Sequence, residues 1–185
     1  MVFAYYNRLT RAQQRVYRQS DEVKSIRLPR LVSLGAMVDD MADALRREDR
    51  RQTEAACQWL LDILTVSLKV HPVRVEVLAA RPSRSWGELH GLYNPRQNQR
   101  SPKITVWMRT AQRHQVVAFR TFLRTLIHEL CHHLDYELLR LPESFHTEGF
   151  YQRESSLIHQ MLGKSATVAR KESDGNKAYN PLIRS

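Results

Sequence analysis

The stretch of sequence that most constrains this chain is residues 121–139, which read TFLRTLIHELCHHLDYELL. It contains His128, Glu129 and His132 in an HExxH pattern. On an α-helix, residues four apart lie on the same face, one turn apart, so both imidazoles can reach one metal ion. Glu129 then lies beside that ion rather than on it. The spacing predicts a zinc site in which another element supplies a third ligand and Glu129 takes a proton from water.

The apolar residues around this motif predict how the helix packs. They recur at helical spacing and form one stripe, which comprises Val116, Phe119, Leu123, Leu126, Ile127, Leu130 and Leu134. The opposite face carries Thr121, Arg124, Thr125, His128, His132 and Asp135. We therefore expect the two histidines to point away from the main packing face. The alternative interpretation is an amphipathic helix whose histidines are simply exposed to solvent.

A third ligand is expected from residues 144–162, which predict a second helix that opens near Ser144. Two side chains compete for this role. His146 follows His132 by 14 residues, and Glu154 follows it by 22. We favour His146, because neutral imidazole is a common zinc ligand and the start of a helix can turn toward the preceding helix. Glu154 remains the alternative, as a carboxylate ligand from an antiparallel helix.

Two polar neighbours of the motif are expected to support the site rather than to bind the metal. Asp135 is expected to orient a ligand histidine through its other ring nitrogen. His133 is expected to point off the metal face, with a structural or substrate-side role.

The motif and its surroundings resemble a known family. The residues that carry the resemblance are HELCHH at 128–133, SFHTEGF at 144–150, the tripeptide Ser85-Trp86-Gly87 and the strand-like KITVWM at 103–108. Together they resemble the SprT-like (Spartan-type) zinc metallopeptidases, over roughly residues 70–163. The resemblance implies three zinc ligands and a catalytic base, which fall here on His128, His132, His146 and Glu129.

The chain departs from that family in two places. Thr147 stands just after the third histidine, where a glycine is usual in the family. The chain has only two cysteines, Cys57 and Cys131, so it lacks a four-cysteine zinc ribbon after the catalytic region. The part of the family pattern that goes with DNA repair is therefore missing.

Residues 1–70 predict three helices, each with an apolar stripe. The stripes comprise Leu9, Ala12, Gln13, Val16 and Tyr17; Leu31, Leu34, Val38, Met41 and Leu45; and Ala56, Trp59, Leu60, Ile63 and Leu64. After His71 and Pro72 the pattern changes to the alternation of strands, at 73–79, 88–93 and 103–108. We expect the last of these to be an edge strand beside the cleft, which binds an extended substrate by adding it to the sheet.

These elements predict an α+β fold. It has an N-terminal helical layer and a small, mainly antiparallel sheet of about three strands, packed on the long HExxH helix and a C-terminal helix. We expect a helical annex at 1–70, a zinc metallopeptidase-like domain at 71–163 and a mobile tail at 164–185. The tail is polar and has no sustained apolar period.

Composition bounds the setting of the protein. The net charge of +10 suggests nucleic acid as a partner through a basic surface, although scattered arginines can equally reflect coding bias. The opening residues lack the continuous apolar core of a signal peptide, and the longest apolar run, 59–70, is broken by Asp62 and Lys69. Two isolated cysteines give no disulfide framework. We therefore expect a cytoplasmic protein that does not enter a membrane.

The function predicted from these residues is a zinc-dependent metallopeptidase, with Zn²⁺ as cofactor and a protein or peptide as substrate. Two other interpretations stay open. One is a non-catalytic zinc-binding module, in which the metal clamps two helices. The other is a nucleic-acid-associated protease that acts on DNA-bound proteins. The sequence carries no phosphate-binding loop, and it does not indicate the oligomeric state.

Overall fold

The structure is a computed structural model that describes residues 2–29, 34–84, 87–96 and 100–175. Within these ranges the chain forms helices that flank a small sheet, so the predicted α+β class is confirmed. Four features of the sequence analysis lie outside the described residues: Leu31, Ser85, Trp86 and residues 176–185.

The three helices predicted in the N-terminal part are all present. The helical elements in chain order are a short 3₁₀ helix at Ala4–Arg8, α1 at Arg11–Glu22, α2 at Leu34–Arg46, α3 at Arg50–Leu68, α4 at Phe119–Glu137 and α5 at Glu148–Gly175. Local capping explains two of the starts. Thr10 and Gln13 form a reciprocal capping box at α1, and Asp49 accepts a hydrogen bond from the backbone N–H of Gln52 at α3. None of the helices in the described ranges is long and apolar enough to cross a membrane.

Three strands form the main sheet: β1 at Arg74–Ala80, β4 at Gly91–Asn94 and β5 at Lys103–Arg109. Their order is β1–β5–β4, with β5 parallel to β1 and antiparallel to β4. Two short strands, β2 at Ser83–Arg84 and β3 at Gly87–Glu88, pair separately as a hairpin. The sheet is thus mixed where we expected it to be mainly antiparallel. The long excursion between β1 and β5 gives the chain room to return in the same direction, which a parallel pair requires.

The expectation that residues 103–108 form an edge strand is wrong, because β5 is the central strand. The alternation of Ile104, Val106 and Met108 indicated a half-buried strand. Thr105 and Trp107 on the other face are also buried, at 5% and 6% exposure. A strand that is covered on both faces and paired on both sides cannot accept a substrate strand. The free edge of the sheet beside α4 belongs to β4.

One apolar core runs through the whole described molecule. It extends from Ile26 to Met161 and includes residues of α2, α3, α4, α5 and the sheet. The predicted apolar stripe of α4 is buried at Leu123, Leu126, Ile127, Leu130 and Leu134. The expected boundary at residue 70 therefore does not separate two cores. Helix α5 also continues past the expected boundary at residue 163, as far as Gly175.

A buried arginine joins α1, α4 and α5. Arg153 on α5 is fully buried, and its Nη2 donates to Asp135 Oδ1 on α4 at 2.7 Å. Its Nη1 donates to the carbonyl oxygens of Ser20 and Val23 at the end of α1, at 2.5 and 2.6 Å. The cation therefore also satisfies backbone carbonyls that the helix end leaves without an intrahelical partner. The N-terminal layer is in this way fixed to the helix that carries the HExxH motif.

Replacement of Arg153 by Met is expected to lower the free energy of unfolding by about 3–5 kcal/mol, because Asp135 is left as a buried charge without its partner. Urea denaturation followed by circular dichroism measures this. The double variant Asp135→Asn/Arg153→Met is expected to recover part of the loss, since neither charge is then buried alone. Arg120→Met, at an exposed position of α4, is the control. A loss below about 1 kcal/mol for Arg153→Met would contradict this role.

Candidate metal centre

Three imidazoles converge at one point beside α4. His128 and His132 lie one turn apart on this helix, and His146 reaches them from the loop before α5. The Nε2 atom of His146 lies 2.9 Å from Nε2 of His128 and 3.1 Å from Nε2 of His132. These three histidines form a group that can hold a metal ion. The structure thus brings together the three residues predicted as ligands.

The spacing of the three nitrogens suits a small tetrahedral ion. Zn–N bonds of about 2.0–2.1 Å at tetrahedral angles place ligand nitrogens about 3.3 Å apart. The Nε2 atom of His146 would need to move away from each of the other two by only a few tenths of an ångström to reach that spacing. Three protein ligands leave a fourth tetrahedral position for water or substrate, and this is the composition of catalytic rather than structural zinc sites.

Glu154 contacts His128 at the ring nitrogen that does not face the other two histidines. Its Oε2 lies 2.9 Å from Nδ1 of His128, and its Oε1 lies 3.4 Å from Nε of Arg124. The carboxylate is almost fully buried, and it contacts the ring nitrogen opposite to the convergence point. Glu154 therefore orients a ligand and does not join the group of three, which favours His146 over Glu154 as the third ligand.

A relay of side chains orients His132. Its Nδ1 lies 2.7 Å from Ser144 Oγ, and Ser144 in turn donates to Asp135 Oδ2 at 2.7 Å. Because the serine hydrogen goes to Asp135, the serine oxygen accepts from Nδ1–H, which leaves the lone pair of Nε2 for a metal. Asp135 was expected to contact a histidine directly. It acts through Ser144 instead, and it is itself held by Arg153.

The loop that carries His146 is fastened by the N-terminal segment. The Tyr5 hydroxyl donates to the backbone carbonyl of His146 at 2.8 Å. Gln13 Nε2 on α1 donates to Glu143 Oε2 at 3.0 Å. Thr147, which departs from the family pattern, begins α5 by accepting a hydrogen bond from the backbone N–H of Phe150 at 3.0 Å. The position of the third ligand thus depends on contacts over more than 120 residues of sequence, which no local pattern reveals.

Glu129 lies beside the histidines, below the edge strand β4. Its side chain accepts a hydrogen bond from the backbone N–H of Tyr93, and burial raises its pKa to about 7. A Cβ atom added at Gly91 would lie 2.4 Å from Glu129 Oε1 and 2.8 Å from Thr125 Cγ2. Gly91 is therefore the residue that lets β4 approach α4 this closely. The sequence does not reveal the role of this glycine, because the role depends on a tertiary contact between β4 and α4.

Burial favours the neutral form of two of the three imidazoles. It lowers the pKa of His132 to about 3, and the neighbouring His146 and His128 add to this shift. The pKa of His146 is lowered by burial first and by His128 second. Neutral imidazoles offer the lone pairs that a metal ion needs.

His133 has the structural role that was one of its two expected roles. It is fully buried, its Nε2 lies 2.8 Å from the backbone carbonyl of His71, and its Nδ1 lies 3.1 Å from the Tyr93 hydroxyl. Because a carbonyl can only accept, Nε2 carries the hydrogen and Nδ1 accepts from Tyr93. This pair of contacts anchors the end of β4 near α4.

The three imidazoles open into a cleft of about 670 Å³ between β4 and α4. Its described lining residues are Leu89, His90, Gly91, Leu92, Tyr93, Pro95, Arg124, Thr125, His128, Glu129, His132, Tyr136, Ser144, His146, Tyr151 and Glu154. Tyr136 and Tyr151, two of the tyrosines near the site, thus face the cleft, whereas His159 lines a neighbouring groove. A cleft of this size admits several residues of an extended chain.

Comparison with protein-family models, with curated proteins and with solved structures gives no match.

Removal of the His146 imidazole is expected to weaken metal binding much more than substitution of Glu154 or Ser144, which contact His128 and His132 at Nδ1. His146→Ala removes one of three donors, so purified protein is expected to hold well under one zinc per chain. Glu154→Gln and Ser144→Ala are each expected to keep near-stoichiometric zinc with affinity about 10- to 100-fold lower. Metal content by mass spectrometry and competition with a chromophoric chelator measure both quantities.

The same experiment can exclude this ligand set. If Glu154→Gln loses zinc while His146→Ala keeps it, the carboxylate and not the imidazole is the third ligand. His159→Ala is a matched control, because this histidine lies outside the cleft and is expected to leave zinc content unchanged.

Proposed function

We propose that this protein is a zinc-dependent metallopeptidase that hydrolyses peptide bonds. The observation that carries the proposal is the convergence of three imidazole Nε2 atoms at an open cleft, with the buried carboxylate of Glu129 beside them. Three neutral nitrogen ligands, an open fourth position and an adjacent carboxylate are what metal-assisted hydrolysis needs. Imidazole donors suit zinc, copper, iron and nickel, and three protein ligands with an open position are the composition of hydrolytic zinc sites.

The proposed mechanism gives Glu129 the proton transfers. When bound, zinc lowers the pKa of a water ligand to near 7 and polarises a carbonyl oxygen. Glu129 accepts the proton of the attacking water and then delivers it to the leaving nitrogen. The hydrogen bond from the Tyr93 N–H orients the carboxylate for this task. Tyr136 and Tyr151 face the same cleft, and either hydroxyl can donate to the oxygen that becomes negative during attack.

Strand β4 is the proposed docking edge for the substrate. Among the described residues it pairs with β5 alone, and its residues Gly91 to Tyr93, together with Leu89 and His90 just before them, line the cleft. An extended peptide that adds to this edge lies between β4 and the histidines, with its backbone held by main-chain hydrogen bonds. This mode of binding recognises backbone and suits a protein or peptide substrate.

The non-catalytic alternative is less well supported by the same contacts. A zinc ion that only clamps helices is normally held by four protein ligands. Here Glu154, the carboxylate considered as an alternative ligand, is engaged by Nδ1 of His128 and Nε of Arg124. Among the described residues, no fourth side chain joins the group of three histidines, so a metal held there would have a position for water or substrate.

Glu129→Gln is expected to keep zinc and to lose peptide hydrolysis by at least about 100-fold, because general-base catalysis contributes about 10²–10⁴-fold. Cleavage of casein and of a fluorogenic peptide library measures turnover, with zinc content determined on the same samples. A chelator is expected to abolish wild-type cleavage, and added zinc to restore it. Turnover in Glu129→Gln equal to that of the wild type would refute the proposed role of the carboxylate.

Gly91→Ala is expected to reduce hydrolysis without loss of zinc, because the added methyl group would collide with Glu129 and Thr125. None of the three atoms nearest to the added methyl group belongs to a histidine, so the effect is expected in the turnover number rather than in metal affinity. Asn94→Ala, at an exposed position of β4 that does not line the cleft, is the control for a change in the strand itself. An unchanged turnover number in Gly91→Ala would show that the close approach of β4 does not position Glu129.

A further inference from the structure

The two ends of the cleft differ in chemistry. Strand β4 runs along α4, so that Gly91 lies over Thr125 and Glu129, whereas Tyr93 stacks on His132 and Tyr136. The end beyond Tyr93 is therefore aromatic. The opposite end, at the start of β4, contains Arg124. Among the described residues that line the cleft, Arg124 is the one with a permanent positive charge.

The Arg124 guanidinium contacts Glu154 and still has N–H donors available for a substrate. Its side chain is 60% exposed, and Nε lies 3.4 Å from Oε1 of the buried Glu154. Within the described part of the chain, the two terminal nitrogens donate no hydrogen bond, and the ion-pair partner of the side chain is Glu154. Guanidinium groups bind carboxylates through two parallel N–H···O bonds, and one that is already oriented loses less freedom when it does so.

We propose that Arg124 determines specificity by binding a carboxylate of the substrate, so that peptides with an acidic group near the scissile bond are preferred. This inference rests on the proposed peptidase function, because it assigns Arg124 to the same cleft. Arg124 precedes His128 by four residues, which is about 6 Å along the helix axis. An extended chain advances about 3.3 Å per residue, so the carboxylate belongs about two residues from the bond that is cleaved.

The overall charge of the protein favours the same class of substrate. The chain carries a net charge of +10, which attracts acidic peptides and speeds their encounter with the cleft at low salt. This general attraction weakens as ionic strength rises, and it does not favour an acidic residue at any particular position of the peptide. The bidentate contact at Arg124 is local, and its preference is expected to persist when salt screens the general attraction.

Two sources can provide the carboxylate: the side chain of an internal Asp or Glu, or the free C-terminus of a peptide. Pairs of fluorescent peptides separate them. In the first kind of pair, one peptide has Glu and the other has Gln at the same position, and both ends are blocked. Separate pairs place this residue at the second or third position before, or the second or third position after, a fixed central bond. The other pair has a free or amidated C-terminus two residues from that bond.

Binding is measured on zinc-loaded Glu129→Gln, which is expected to keep the cleft and not to cleave the peptides. Fluorescence anisotropy in about 0.15 M salt is expected to give at least 10-fold tighter binding for one acidic peptide than for its neutral partner. Glu129→Gln/Arg124→Gln is expected to bind both members of that pair equally. Arg124→Lys in the same background is expected to keep part of the preference, because it retains the charge and loses the bidentate geometry.

Two controls separate this role from positioning of His128 through Glu154. Zinc content of the Arg124→Gln proteins is expected to stay near one per chain, and Arg120→Gln, on the exposed surface of α4, is expected to keep the full preference. In the otherwise wild-type enzyme, Arg124→Gln is expected to lower kcat/KM for the acidic peptide and to change it little for the neutral one. An equal loss for both peptides would instead indicate a positioning residue.

The outcomes distinguish this inference from the proposed function. No preference for any acidic peptide in Glu129→Gln, or a preference that survives Arg124→Gln, overturns the inference whether or not the protein is a peptidase. Selective binding that depends on Arg124, together with no cleavage by the zinc-loaded wild type, supports the inference as a binding property and overturns the proposed hydrolysis.

Discussion

The ion pair between Arg153 and Asp135 is the contact on which the candidate site depends. It lies in a part of the molecule from which water is excluded, so neither charge can be solvated if the other is lost. Arg153 also holds the last carbonyls of α1, and Asp135 holds the serine that orients His132. Fold and site therefore share one polar network, which extends from the N-terminal layer to Nδ1 of His132.

The three histidines of the site are held by different parts of the fold. His128 and His132 stand on one rigid helix, and each is fixed by a partner at Nδ1. His146 stands on a loop, and the N-terminal segment supports that loop through the Tyr5 hydroxyl. The N-terminal segment is thus part of the scaffold of the site, and the apolar core crosses the expected boundary at residue 70 through α2 and α3.

Features of the fold and of the site could be predicted from the sequence where they depend on residues close together in the chain. The placement of His128, Glu129 and His132 follows from helix geometry alone, and the structure brings His146 to them as expected. The roles of Ser144, Gly91 and Tyr5 could not be read in advance, because each acts on a residue that is distant in sequence. The edge-strand prediction failed for a related reason. The alternation in 103–108 reports which residues are apolar, but not which strands lie on either side.

The most direct test of the account is the anomalous diffraction of crystals grown with zinc, recorded at the zinc absorption edge. The account predicts one strong peak about 2.0–2.1 Å from Nε2 of His128, His132 and His146, with a fourth ligand that does not come from the protein. Glu154 is expected to remain on Nδ1 of His128. No peak between the three imidazoles, or a peak that includes a Glu154 oxygen among its ligands, would contradict the account.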